Sequence, residues 1–202
     1  MHRMQRLMGL LYRLELIRTG RLAEQIRQER RRINLEDFIE DFLEGLDEIQ
    51  LLDPETETQD YRGRIRTTVT GSLVVSASPA RLTTILQDIV RNAMMYSMKA
   101  APIIIMAQAS PQGQSVQIDV IDEGYGIRAK EFERVFAPFQ RARQPQILGE
   151  FGYGLSLYLC KHEVEAMNGK IWFESEEGVG TTFSLKLPLW RDASSSSSSD
   201  NA

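Results

Sequence analysis

The segment Asp122-Glu123-Gly124-Tyr125-Gly126-Ile127 closes the alternating run Ser115-Val116-Gln117-Ile118-Asp119-Val120-Ile121. Val116, Ile118 and Val120 recur at every second position, the period of a strand with one buried face. Such a strand delivers a carboxylate at its end and follows it with bare backbone, where a flat or anionic ligand can come close. The same letters also describe a tight turn in which an aspartate bonds its own backbone. The surrounding chain has to separate the two readings.

Composition sets the bounds. The chain has 202 residues, 42% apolar and 26% charged, with a net charge of −4. That is enough for one sizeable core plus an appendage, and it gives no indication of nucleic acid as a partner. No apolar run approaches the roughly 18 residues of a membrane span, and the first residues lack a signal peptide's apolar stretch. A single cysteine, Cys160, excludes an internal disulfide and suits a reducing, cytoplasmic compartment. Its neighbours Leu157, Tyr158 and Leu159 place it at a packed, inert helix position.

Working outward, residues 1–19 read as a helix striped by Met4, Leu7, Leu11 and Leu14, with Met8, Leu10 and Ile17 widening the apolar face. A stripe this apolar needs a partner, either this chain or a second copy pairing through residues 1–20. Arg21 to Arg32 reads as a basic, solvated connector. Leu35 to Ile49 shows a helical face capped by Asn34, and residues 53–60 form an acidic loop. Residues 61–70 and 73–77 read as strands around Gly71. Ser78-Pro79 marks a helix start that runs to about Ser97. Residues 103–109 and 116–121 form a hairpin, 130–135 a short helix, 154–167 a longer one, and 171–174 with 181–187 a last hairpin. The serine-rich end cannot bury surface. Without strict strand–helix alternation, the expected class is α+β: a two-layer α/β sandwich with helices on one face of a mixed sheet, preceded by an N-terminal helix. Expected divisions are 1–32, a partial helical segment and linker; 33–190, the main domain; and 191–202, a disordered tail.

Three features carry chemistry. On the helix after Pro79, Asp88, Asn92 and Tyr96 fall at i, i+4 and i+8, away from the apolar stripe of Leu82, Leu86, Ile89 and Ala93. An acid and an amide one turn apart present two oxygens in one direction, as Mg2+ requires, although a solvated helix face has the same spacing. Gly149, Gly152 and Gly154 precede a helix whose free backbone donors suit phosphate; a flexible capped loop is the plainer reading. Leu155 stands where a P-loop has its lysine, and Leu157 breaks a G-x-G-x-x-G run there. Gly124, Gly126 and Ala129 match the dinucleotide fingerprint, but Pro138 and Pro145 deny the helix and parallel strand which that fingerprint needs.

Taken in order, N-A-x-x-Y-S at 92–97, D-x-G-x-G at 122–126, Phe136-Ala137-Pro138-Phe139, Gly152-x-Gly154-Leu155 and Gly180-Thr181 resemble the catalytic, ATP-binding domain of sensor histidine kinases. That domain has a Bergerat-type fold shared with gyrase, heat-shock chaperones and MutL repair proteins. The resemblance spans about residues 33–188, and residues 1–32 resemble the end of the dimerisation helix that precedes such domains. It implies that Asn92 ligates Mg2+ bridging the ATP phosphates and that Asp122 accepts from the adenine amino group. It implies further that Gly124 and Gly126 allow close packing of adenine and lid, with Ile127 beside them. Phe136 and Phe139 would anchor the lid hinge, Arg141 would stand near the phosphates, and Gly152, Tyr153, Gly154 and Leu155 would shape the lid's phosphate-facing end. Thr181 would support the adenine carboxylate, and Tyr96 would border the nucleotide. The implied activity is transfer of the γ-phosphoryl group to a histidine, for relay to a response regulator.

The sequence departs from that pattern at three points. Neither His2 nor His162 sits in the family's acceptor context, so the accepting histidine is expected outside this segment, on the family's dimerisation helices. Met95 stands where the family has a phosphate-contacting lysine; Arg91, Lys99, Arg141 or Arg143 are candidate substitutes. Asp88 holds a position where the family's ATPases and serine kinases place a glutamate base. Its expected role is support of the metal or its waters, with slow ATP hydrolysis as the rival. A superfamily serine kinase or ATPase, and a non-catalytic nucleotide-binding dimerisation module, are the alternative functions.

Overall fold

The computed structural model describes residues 2–48, 61–97, 101–140 and 153–191. The acidic loop, the expected lid with Arg141 and Gly152, and the serine-rich tail lie outside these residues. Helix α1 spans His2–Arg18, α2 Leu22–Glu29, strand β1 Arg31–Asn34 and α3 Leu35–Glu44. Strands β2 (Ile65–Thr70) and β3 (Val74–Ala77) precede α4 (Pro79–Tyr96). Then come β4 (Ile103–Ala109), β5 (Ser115–Asp122), α5 (Ser156–Ala166), β6 (Lys170–Glu176) and β7 (Gly180–Pro188).

A five-stranded sheet runs in the order β2-β4-β5-β7-β6. Only the β2–β4 pair is parallel, so the sheet is mixed. Central β5 buries Val116, Ile118 and Val120, the alternation that its sequence announces. Over that face lie α4 and α5, which pack on each other and on β5 and β6 respectively. The apolar stripe of α4 is completely buried at Leu82, Ile85, Leu86 and Ile89. At roughly 1.5–3 kcal/mol per buried side chain, that stripe holds helix and sheet together. The helix starts as its sequence indicates: Ser78 caps the backbone N–H of Arg81 at 3.3 Å and Pro79 follows. Asn34 likewise caps α3 by accepting from the Glu36 N–H.

The connector 21–32 is not a solvated linker. Leu22 and Ile26 enter the common core from α2, and β1 pairs with β3 from Arg31↔Ala77 to Asn34↔Val74. The boundary expected at 32/33 therefore falls inside a strand. The many arginines mask an i, i+4 apolar pair that is enough to dock one short helix. The strands flanking Gly71 do not pair with each other; β3 joins β1 in a separate two-stranded sheet. Residues 129–134 form a 3-10 turn rather than an α-helix, and α3 ends at Glu44, continuing as a 3-10 turn to Glu48.

The stripe on α1 is divided. Leu10, Arg13 and Leu16 are buried, with Leu10 clustered on Leu155 and Leu159 of the α5 region. Met4, Met8, Leu11 and Tyr12 stay exposed. One side of the helix thus covers this chain's own domain, and the other is left outward.

Candidate nucleotide site

An open cleft of about 1020 Å3, counting the solvent at its mouth, lies between α4, the turn after β5, and the start of α5. Of the expected residues, Asn92, Tyr96, Asp122, Gly126, Ile127, Tyr153, Gly154, Leu155 and Thr181 line it together. They come from four separate stretches of chain, and the fold brings them to one concavity.

Asp122 ends β5 opposite Thr181 of β7 and is 6% exposed. Burial pushes its carboxyl up to about 7, against the opposing pull of a hydrogen bond from the Thr181 backbone N–H. The Thr181 hydroxyl is 2.9 Å from Ser175 Oγ, and that same oxygen accepts the Ile127 N–H at 2.8 Å. Ser175 thereby ties the D-x-G-x-G turn to the strand across from it. Nothing in the local sequence of β6 marks this serine, because its partners are 48 and 6 positions away.

The two glycines of the turn serve the protein's own backbone. A side chain at Gly124 would run into the carbonyl of Tyr96, and one at Gly126 into the carbonyl of Glu176, with Gly126 at φ 60°. The turn is pinned to the end of α4 by the Tyr125 N–H donating to the Tyr96 carbonyl at 3.1 Å, and Ser97 and Gly124 form a bridge. The close approach seen here is of the protein's own backbone against backbone. The result is that the Asp122 end of β5 is fixed to the Asn92–Tyr96 end of α4.

Phe136 and Phe139 part company. Phe136 packs on Phe173 with ring centroids 5.8 Å apart. Phe139 is 66% exposed and takes φ 59°. It acts through its backbone, its N–H donating to the Gly154 carbonyl at 2.8 Å. Gly154, at φ 67°, has no room for a side chain beside Gln140 and Phe139. Phe139 and Gln140 are therefore held against Gly154.

Asp88 is the main correction. Its Oδ2 accepts from Arg13 Nη1 at 2.6 Å, and it is not among the residues lining the cleft. The carboxylate is taken up by a buried cation from α1, so the metal-supporting and base roles expected of it do not fit this geometry. Arg13 also grips Glu163 of α5 with two bonds, Nε to Oε1 at 2.9 Å and Nη2 to Oε2 at 2.7 Å. Glu163 meets Arg81 at 3.3 Å, and Arg81 reaches Glu29 of α2 at 3.6 Å. Burial would pull the Arg13 guanidinium down, but Asp88 and Glu163 together hold it well above its ordinary value. Cys160 lies fully buried beside this cluster, its thiol pushed up by burial and by Asp88, which agrees with an inert role.

For Mg2+ the fit is partial and adequate. Asn92 lines the cleft and carries an amide oxygen, and this cation commonly takes one or two protein ligands and completes its shell with phosphates and water. For the triphosphate, Met95 lines the wall without charge, and Arg91 does not line the cleft. Lys99, Arg141 and Arg143 fall outside the described residues. The cations that do line the cleft among the described residues are Arg6 and Arg134, neither of which the motifs single out.

Fold and cleft define the class: a helix-covered mixed sheet holding an open cleft between a strand-end carboxylate and a helix amide. The chain belongs to the histidine kinase-, DNA gyrase B-, and HSP90-like ATPase family, whose model matches residues 77–191. It is 34% identical to sensor histidine kinase WalK of Bacillus subtilis over 116 residues, which is 57% of this chain and 19% of WalK. It is 30% identical over 174 residues to the adaptive-response sensory kinase SasA of Synechococcus elongatus, 86% of this chain and 42% of that protein. Its fold matches the Acinetobacter baumannii histidine kinase AdeS with a TM-score of 0.66 at 18% identity, covering 93% of this chain and 79% of that one. The chain thus spans less than half the length of these curated relatives. It carries an ATP-binding catalytic domain of the sensor-kinase type.

Proposed function

We propose that this chain binds Mg-ATP in the cleft and transfers the γ-phosphoryl group to a histidine outside the segment, for relay to a response regulator. The observation that carries the reading is the convergence of buried Asp122, Thr181, Asn92 and the Gly154–Leu155 start of α5 on one cleft. Asp122, held by the Thr181 backbone, is the acceptor for an adenine amino group. Asn92 is the amide that holds Mg2+, which supplies neutralisation of the phosphate charge when bound. Phosphoryl transfer asks the protein chiefly for positioning and electrostatics, and a site with few free acids or bases meets that demand.

The hydrolytic alternative needs a base on α4, and its candidate, Asp88, is committed to Arg13. The uncharged Met95 on the cleft wall favours a different second reading, a module that binds nucleotide without transfer. One experiment separates them: this chain is mixed with labelled ATP, Mg2+ and a separate dimerisation fragment bearing the acceptor histidine. Acid-labile phosphate on that fragment is the expected result. ATP binding without transfer would favour the module, and turnover to free phosphate without the fragment would favour the hydrolase.

A further inference from the structure

Arg6 lies seven residues before Arg13 on α1. Seven residues are close to two full turns, so both side chains project from one stripe, about 10 Å apart along the helix. Arg13 is locked onto Asp88 of α4, which lays that stripe along α4. Asn92 and Tyr96 stand one and two turns beyond Asp88 on the same helix. The register therefore carries Arg6 to the level of the cleft, where it forms part of the wall with Asn92, Met95, Tyr96, Tyr153 and Gly154.

Its surroundings there suit an anion. The side chain is half-buried, and burial pulls its guanidinium down, only partly offset by Asp88, Tyr153 and Tyr96. Among the described residues it enters no ion pair, and its charge is partly desolvated, with Asp88 acting on it and Glu131 lining the same cleft. The same wall carries the uncharged Met95 and the start of α5 at Leu155 and Ser156, where backbone donors are free at a helix N-terminus. Asp122 and Thr181, by contrast, enter the cleft from the sheet.

We propose that Arg6 binds the phosphates of the nucleotide, so that the cation of this site is supplied by the preceding helix rather than by the ATP-binding domain. This rests on the reading of the cleft as an adenine-nucleotide site. A guanidinium presents a fork of donors matched to phosphate oxygens, and Arg6 fills the role that Met95 cannot. Docking of α1 through Arg13 and Leu10 then becomes part of nucleotide binding. By linkage, bound ATP holds the helix in place as much as the helix holds ATP.

The test is calorimetric titration of the full chain with ATP, in the presence of Mg2+, and separately with adenosine, for the parent, Arg6→Gln and Arg6→Lys. Arg6→Gln is expected to weaken ATP by about tenfold or more and leave adenosine within about twofold, since the nucleoside has no phosphate to lose. Arg6→Lys should recover part of the ATP affinity. Thermal unfolding curves matched to the parent's show that the half-exposed position has not disturbed the fold. Unchanged ATP affinity in Arg6→Gln overturns the proposal, as does an equal loss for ATP and adenosine, which would mark a general collapse of the wall. A parent that binds neither compound removes the nucleotide reading itself, a result distinct from either of these.

Discussion

Arg13 Nη1 and Asp88 Oδ2 meet at 2.6 Å across 75 positions of sequence, with both side chains buried. This contact joins the N-terminal helix to the helix that lines the nucleotide cleft. It takes from Asp88 the freedom to act in the cleft, and it sets the height at which α1 crosses α4. Removing one partner of a buried ion pair leaves the other charge uncompensated. Arg13 has two carboxylate partners, Asp88 and Glu163. Arg13→Ala is therefore expected to cost about 3–5 kcal/mol, read as a lower urea midpoint at unchanged slope. A loss below about 1 kcal/mol would show that water replaces the guanidinium and that the cluster is not structural.

The Asp122 carboxyl stands at about 7 in the folded chain, against about 3.9 for an unperturbed aspartate. Between these values the folded state holds a proton that the unfolded state has released. Its contribution to stability is thus complete below about pH 4 and is lost as pH rises through about 7. Asp122→Asn should remove that falling component from the stability–pH curve. A parent and variant whose curves stay parallel between pH 4 and 8 would count against the buried, protonated carboxyl.

The same group sets a pH dependence on binding. If the ionised carboxylate is the acceptor for the adenine amine, the competent fraction at pH 6 is only about a tenth, and apparent affinity falls in proportion. Adenosine, which does not titrate in this range, should bind up to about tenfold more weakly at pH 6 than at pH 8. Flat affinity across that interval would mean that Asp122 is not the acceptor.

The glycines separate backbone freedom from space. Gly178 takes φ 81° with nothing near a added side chain, whereas Gly126 at φ 60° faces the Glu176 carbonyl. Gly178→Ala should cost about 1 kcal/mol, and Gly126→Ala about 3 kcal/mol or more, because main chain must move. Comparable thermal shifts for the two variants would contradict the close approach of the turn to β6.

Met4, Met8 and Leu11, on the outward side of α1, are 72%, 64% and 48% exposed. A second copy of the chain is the expected cover for this apolar side. Sedimentation should show concentration-dependent dimers that Leu11→Glu suppresses. Monomer alone at high concentration would rule out self-association through this helix.

Much of this molecule was legible from local pattern. The alternation of β5, the Ser78-Pro79 start and the apolar stripe of α4 each depend on residues within one or two turns of each other, so the mixed sheet with its covering helices could be read directly. The order of the motifs from Asn92 to Thr181 pointed to the nucleotide cleft by a different route, through its resemblance to a known family of ATP-binding domains. The charged stretch 21–32 misled because its apolar pair, Leu22 and Ile26, is sparse; only a core waiting to receive it makes α2 and β1 worthwhile.

What tertiary structure alone decided is where the charges go. By sequence, Asp88 is an acid one turn from Asn92, open to a metal or a water. In the folded chain it is the seat of Arg13, because burying either charge alone costs more than burying them as a pair. The stretch Asp122-Glu123-Gly124-Tyr125-Gly126 announced a carboxylate at a strand end followed by bare backbone. Only the fold shows that this backbone is pressed against Tyr96 and Glu176, and that Arg6, from the first turns of the chain, lines the same cleft as Asp122. Such partners are set by the packing of distant elements, and no local spacing encodes them.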